Sequence, residues 1–161
     1  MYPIIFFALA MVSTLIHLSR IKKRTMPAVV EVALLWLMVW CIGAQGIFAA
    51  TFQIIMPDKI AADIGWAPSP FLFEVAVGNL GMGVAGVLAL VWRGKYWLGP
   101  LVTYLIFIYG AAYGHLMQQA AGDHSAYNTG IFLYIGDIII PTIILILAVL
   151  FYFTVLPKYK N

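Results

Sequence analysis

The stretch Gly65 to Gly86, GWAPSPFLFEVAVGNLGMGVAG, decides the fold. Ser69 and Pro70 form a helix start, with Ser69 as the cap and Pro70 in a first turn that needs no N–H. Beyond them lie a carboxylate, Glu74, an amide, Asn79, and a ladder of glycines, all inside an apolar run. A run of about 20 such residues crosses a bilayer as a helix. Polar groups in a glycine-lined membrane helix imply a site, because glycines let helices approach closely and lipid penalises unpaired polar groups.

The rest of the chain agrees. Of 161 residues, 64% are hydrophobic and 9% charged, against about half and a quarter in soluble domains. A chain this short and apolar is expected to be one domain, residues 1–161, and all-α: a polytopic transmembrane helix bundle, since helices satisfy their own backbone groups in lipid. The pattern predicts five spans at about 2–18, 27–56, 70–92, 96–120 and 130–156. The first is expected to be a mature helix and not a signal peptide, because its charges follow the apolar region. The second, at some 30 residues, must tilt or bend, and Gly43 to Gly46 offers the place. Asp58 to Pro68 reads as a connection, and Trp92, Tyr96 and Trp97 as an interfacial aromatic belt.

Charge gives the orientation. Arg20, Lys22, Lys23, Arg24, Arg93, Lys95, Lys158 and Lys160 fall on one side of the five spans, and only Lys59 on the other. The positive-inside rule then puts the N-terminus outside and the C-terminus in the cytoplasm. The net charge of +3 is spent on topology in short clusters, so no nucleic-acid partner is expected. The lone Cys41 excludes a disulfide and a cysteine-rich metal site.

Rises of about 1.5 Å per residue put Glu74, Asn79, His115, Gln118 and Asp137 at one depth in the outer half, and Gln45 and Gln53 on the long second helix can join them. Helical spacing groups Glu74, Gly78, Gly81 and Ala85 on one face of the third span. It groups Tyr104, Ala111, His115 and Gln118 on the fourth, and Gly130, Tyr134, Asp137 and Pro141 on the fifth. Each stripe is expected to face the bundle. Pro141 has no N–H for the carbonyl of Asp137, which would leave a backbone acceptor beside the carboxylate unless Thr142 or a neighbour takes it. His17 and Glu31, beside the cluster Arg20 to Arg24, need only snorkelling and ion pairing.

The motifs GW-x-x-SPF-x-x-EVA-x-x-NLGxG, GH-x-x-Q at Gly114 to Gln118, N-x-G at Asn128 to Gly130 and D-x-x-x-P at Asp137 to Pro141 together resemble an uncharacterised bacterial family of small polytopic membrane proteins with a domain-of-unknown-function label. The resemblance implies that Glu74, Asn79, His115, Asn128 and Asp137 belong to the family's polar signature, and it implies the bacterial inner (cytoplasmic) membrane. It brings no activity.

The residues support three functions. The first is an ion-binding site for a cation, metal or proton, in a transporter, channel or sensor, lined by Glu74, Asn79, His115, Gln118, Asp137 and Gln45. A divalent metal ion as cofactor would be held by Glu74, His115 and Asp137, since carboxylates with one imidazole suit hard or borderline ions. The second is a membrane-embedded enzyme on a lipid or small substrate, with His115 and a carboxylate as acid and base; G-x-S-x-G and H-E-x-x-H motifs are missing. The third is a non-catalytic assembly subunit. Expected partners are membrane lipids, and a second copy or a membrane complex.

Overall fold

A computed structural model describes residues 2–159; Lys160 of the basic tail lies outside the described residues. Six helices form the fold, and among the described residues there is no strand. They are α1 (Tyr2–Ser19), α2 (Met26–Ile55), α3 (Pro57–Asp63), α4 (Phe71–Leu88), α5 (Leu98–Ala120, led in by a 3-10 turn at Gly94–Trp97) and α6 (Ile131–Thr154). All but α3 are long and apolar enough to cross a membrane. The loops at residues 20–25 and 89–93 and the tail at 155–159 meet at one end, which carries every described Lys and Arg except Lys59. The start of α1, α3 and the loop at 121–130 form the opposite end.

The helix bounds sit within a few residues of those the apolar runs predict, and the differences have causes. Pro57 and Asp58 start a helix instead of a loop, with Pro in the first turn and Lys59 paired to Asp63 one turn on at 2.7 Å. The third span ends at Leu88 because the chain turns at residues 89–92 to deliver Trp97 into the core. Trp97 is fully buried, stacks on Phe151 at 4.8 Å between centroids, and donates its indole N–H to the carbonyls of Trp92 and Ala89. It is therefore a core residue and not part of an interfacial belt. Pro70 occupies the N-cap position of α4, and the Ser69 hydroxyl accepts the Phe71 N–H at 3.3 Å.

The long second helix widens into a π-helix at Met38–Ala44, a stretch that includes Gly43. Gly43 and Gly46 are used for contact with α4, where Gly83 and Gly86 face them. A methyl group on Gly86 would lie 2.6 Å from the Gly43 nitrogen and 2.8 Å from the Met38 oxygen. Those two atoms are five residues apart, the spacing a π-turn joins, so Gly86 seats directly on the widened turn. A methyl group on Gly83 would lie 2.7 Å from the Ile47 nitrogen. In lipid such backbone approach, and not apolar burial, is what holds helices together.

This corrects the face expected for the third span. Glu74, Gly78 and Gly81 are exposed, and a side chain at either glycine would meet nothing within 4 Å. The buried stripe of α4 is Leu72, Ala76, Gly83 and Gly86, with Asn79 half-buried along it. Two small-residue stripes with the same helical period run side by side here, and the close contact with α2 selects the second.

Candidate functional site

The end of the bundle away from the basic loops encloses a cavity of about 510 Å³. Its walls come from α2 (Cys41, Gln45, Gly46, Gln53), α4 (Val75, Asn79, Met82), α5 (Tyr104, Ala111, Gly114, His115, Gln118) and α6 (Phe132, Asp137), with Tyr2 and Pro3 from the start of α1. Trp66, Ile64 and Tyr127 come from the segments that follow α3 and α5. Those segments form a cap with its own small core of Ala61, Ile64 and Leu72, against which Ile60 and Tyr127 pack. Gly65 sits in this cap with φ +77°, a conformation that favours glycine, and Asp123 packs where a side chain would start. Tyr127 stacks on Phe132 at 4.4 Å. Its burial pushes the phenol up from its ordinary value, so it stays a neutral hydroxyl.

Of the sequence-predicted site residues, Gln45, Asn79, His115, Gln118 and Asp137 all line this cavity. The whole α5 stripe Tyr104, Ala111, His115 and Gln118 faces it, because α5 is a regular α-helix and keeps its period. Glu74 does not reach it. That carboxylate stands exposed in the first turn of α4, where the positive end of the helix favours a negative charge. The expected trio of Glu74, His115 and Asp137 is thus not assembled, and among the described residues no three His, Cys, Asp or Glu side chains come together as a metal site.

What the fold does assemble is a pair with an orienting third group. Asn128 is fully buried, 0% exposed, and its Oδ1 lies 2.6 Å from His115 Nδ1. A carbonyl oxygen only accepts, so Nδ1 carries the hydrogen and Nε2 of the neutral ring is the nitrogen with the free lone pair. Nε2 points toward Asp137, 4.0 Å from Oδ2. That separation exceeds a direct hydrogen bond and suits one bridging polar group. Asn79 and Gln53 form a second polar unit, Nδ2 donating to Oε1 at 3.0 Å across the α2–α4 contact. Among the described residues, the Gln118 Oε1 and Asn128 Nδ2 atoms are buried without a partner.

The π-helix of α6, Ile131–Ile139, explains why its stripe departs from the α-helical expectation. With the wider turn, Phe132 and Asp137, five residues apart, both line the cavity, while Tyr134 turns outward and donates to Gln119 Oε1. Pro141 lies just past this turn. Thr142 Oγ1 donates to the Ile138 carbonyl at 2.7 Å, one residue beyond Asp137, and shares a hydrogen bond with Tyr109 at 3.0 Å. The π-helix of α2 likewise supplies Cys41 and Ile42 to the wall. Both such turns flank one cavity, and π-turns gather at functional sites. Sequence reasoning did not single out Cys41, Trp66 or Tyr127 as lining residues, since two lie in connections with no period and the thiol reads as plain core.

Five apolar helices around a mostly apolar cavity with a few polar side chains define the class: a multi-pass helical membrane protein. Within that class the chain belongs to the Family of unknown function (DUF6790), whose model matches residues 1–154. No curated protein and no solved structure matches the chain.

Proposed function

We propose that the protein binds a small hydrogen-bonding organic molecule in this cavity and couples the binding to a proton held between His115 and Asp137, as a transporter or sensor subunit of the bacterial inner membrane. The observation that carries the reading is the pair itself. His115 Nε2 and Asp137 Oδ2 stand 4.0 Å apart on the wall of a cavity within the size range of ligand pockets, with Nδ1 fixed by Asn128. An ionisable group at that depth is costly unless it serves a site or a fixed pair.

The donor set favours a proton over a metal ion, since one carboxylate, one imidazole and several amides offer too few charged ligands for a tight divalent site. Gln45, Gln53, Asn79 and Gln118 with the Tyr104 hydroxyl supply donors and acceptors to an otherwise apolar and aromatic wall. Such a lining suits an uncharged molecule. The concentration of Lys and Arg at the opposite end supports an outward-facing cavity by the positive-inside rule, with loading from the outer side.

The test is a titration of the purified protein in lipid nanodiscs, following the ¹⁵N NMR signals of His115 and thermal stability against pH. Wild type should show one coupled transition with the proton moving on Nε2 alone. Asp137→Asn and His115→Gln should each remove it while the fold, read by circular dichroism, is kept. An unchanged pH response in Asp137→Asn rejects the coupled pair.

A further inference from the structure

At the basic end, α1 and α2 leave a second cavity of about 540 Å³, lined by Ser13, Ile16, His17, Arg20, Ile21 and Trp36. Two indoles fix its polar groups. Trp36 donates its N–H to His17 Nδ1 at 3.2 Å, so in the neutral ring the hydrogen is on Nε2, which becomes a donor. Trp40 donates to Ser13 Oγ at 2.9 Å, which leaves the hydroxyl hydrogen free to donate as well. Arg20 adds a guanidinium at the edge, and exposed Lys22 and Lys23 follow in the next turn of chain.

Snorkelling and ion pairing with this cluster are expected to account for His17 and Glu31, and among the described residues no such ion pair forms. Among the described residues, Arg20, Lys22, Lys23 and Arg24 have no carboxylate within ion-pair distance. Arg24 Nε is turned back on the Leu18 carbonyl at 3.1 Å. Glu31, on the same end of the bundle, is held by the Tyr159 hydroxyl at 2.6 Å. Two donors and the Arg20 cation thus share one groove, with Lys22 and Lys23 exposed nearby and, among the described residues, no carboxylate within ion-pair distance of the three.

We propose that this groove is a binding site for an anionic phospholipid, with the phosphate held by Arg20, His17 Nε2–H and Ser13. Lys22 and Lys23 set the local potential. The choice of a lipid over a free phosphate rests on the apolar part of the same lining, Ile16, Ile21 and the Trp36 ring, of which Ile16 is 50% exposed and offers contact to an acyl chain. Basic pockets between helices at the positively charged membrane face take lipid headgroups for the same electrostatic reason.

The experiment uses the full chain in neutral detergent and measures binding by native mass spectrometry and by thermal shift. The probes are phosphatidylglycerol, phosphatidylcholine and inorganic phosphate. Phosphatidylglycerol should bind and raise the melting temperature, phosphatidylcholine should do neither, and phosphate alone should leave the protein unchanged. Lys22→Gln with Lys23→Gln lies in the exposed loop and leaves the packing intact. Adding Arg20→Gln should bring the loss of affinity to the order of a hundredfold, from the usual contribution of each cation near an anionic headgroup. Lys158→Gln, a charge at the same end but outside the groove, should keep full binding. Equal binding of both lipids, unchanged binding in the triple variant, or stabilisation by phosphate alone equal to that by lipid would each overturn the proposal.

Discussion

Gly86→Ala adds one methyl group at the seat of α4 on the widened turn of α2. The new carbon would lie 2.6 Å from the Gly43 nitrogen and 2.8 Å from the Met38 oxygen, both backbone atoms that no rotamer change can move. Ordinary contacts for such a carbon are about 3.5 to 4.0 Å, so the two helices must part by roughly 1 Å along this seam. Overpacking of this kind costs about 1 to 3 kcal/mol. Gly81→Ala, one turn away on the exposed face, meets nothing within 4 Å and should gain about 0.5 to 1 kcal/mol from the better helix former. The pair of variants should therefore differ by roughly 1.5 to 4 kcal/mol, with opposite signs. Reversible unfolding in mixed micelles with increasing dodecyl sulfate, followed by far-ultraviolet circular dichroism, measures the difference directly. Equal stability of the two variants would show that the Gly83–Gly86 seam does not hold the bundle, and the assignment of the α4 face would fail with it.

Two more outcomes are expected. Asn128→Leu removes the acceptor for His115 Nδ1–H and should cost about 1 to 3 kcal/mol for the donor left in a buried place; the ¹⁵N signals should then show a mixture of tautomers, and a single unchanged tautomer contradicts the orienting role. For topology, cysteines at Ala126 and Lys23 in a Cys41→Ala background should be labelled by an impermeant maleimide from opposite sides of the cell membrane, Ala126 from outside, and labelling of both from one side rules the orientation out.

The five long helices were plain in the sequence, because lipid demands continuous apolar runs and allows few charges within them. The α5 face was equally plain, since a regular helix with one polar stripe leaves no choice of side. On α4 the choice was open, for Gly78, Gly81 and Ala85 repeat with the same period as Asn79, Gly83 and Gly86. Hydropathy cannot separate them, and the presence of Glu74 on the first stripe favoured the wrong one. A carboxylate in a first helical turn needs no buried partner. Tyr134 was misplaced because its helix is not an α-helix at that point, and no residue type announces a π-turn. The start signals of α3, Pro57 and Asp58 with the Lys59–Asp63 pair, were present in a stretch read as a connection. Asn128 is buried through a contact with His115 thirteen positions back, which only the resemblance to the family singled out.

The two π-turns carry a consequence for insertion and deletion. Each behaves as one surplus residue wound into an α-helix, and the wider turn absorbs it, so the residues on either side keep their angular places. Removing a single residue such as Val39 from α2 would let the turn relax to α geometry with Gln45 still on the cavity wall and Gly46 still against Gly83. Removing Ile135 from α6 would leave Phe132 and Asp137 four residues apart, a spacing that an α-helix also puts on one face. The same deletion in the regular helix α5 has no surplus to draw on and would rotate everything beyond it by about 100°, the step per residue of an α-helix. Within this family, a chain one residue shorter in either π-turn therefore presents the same side chains to its cavity, whereas one shorter in the middle of α5 does not.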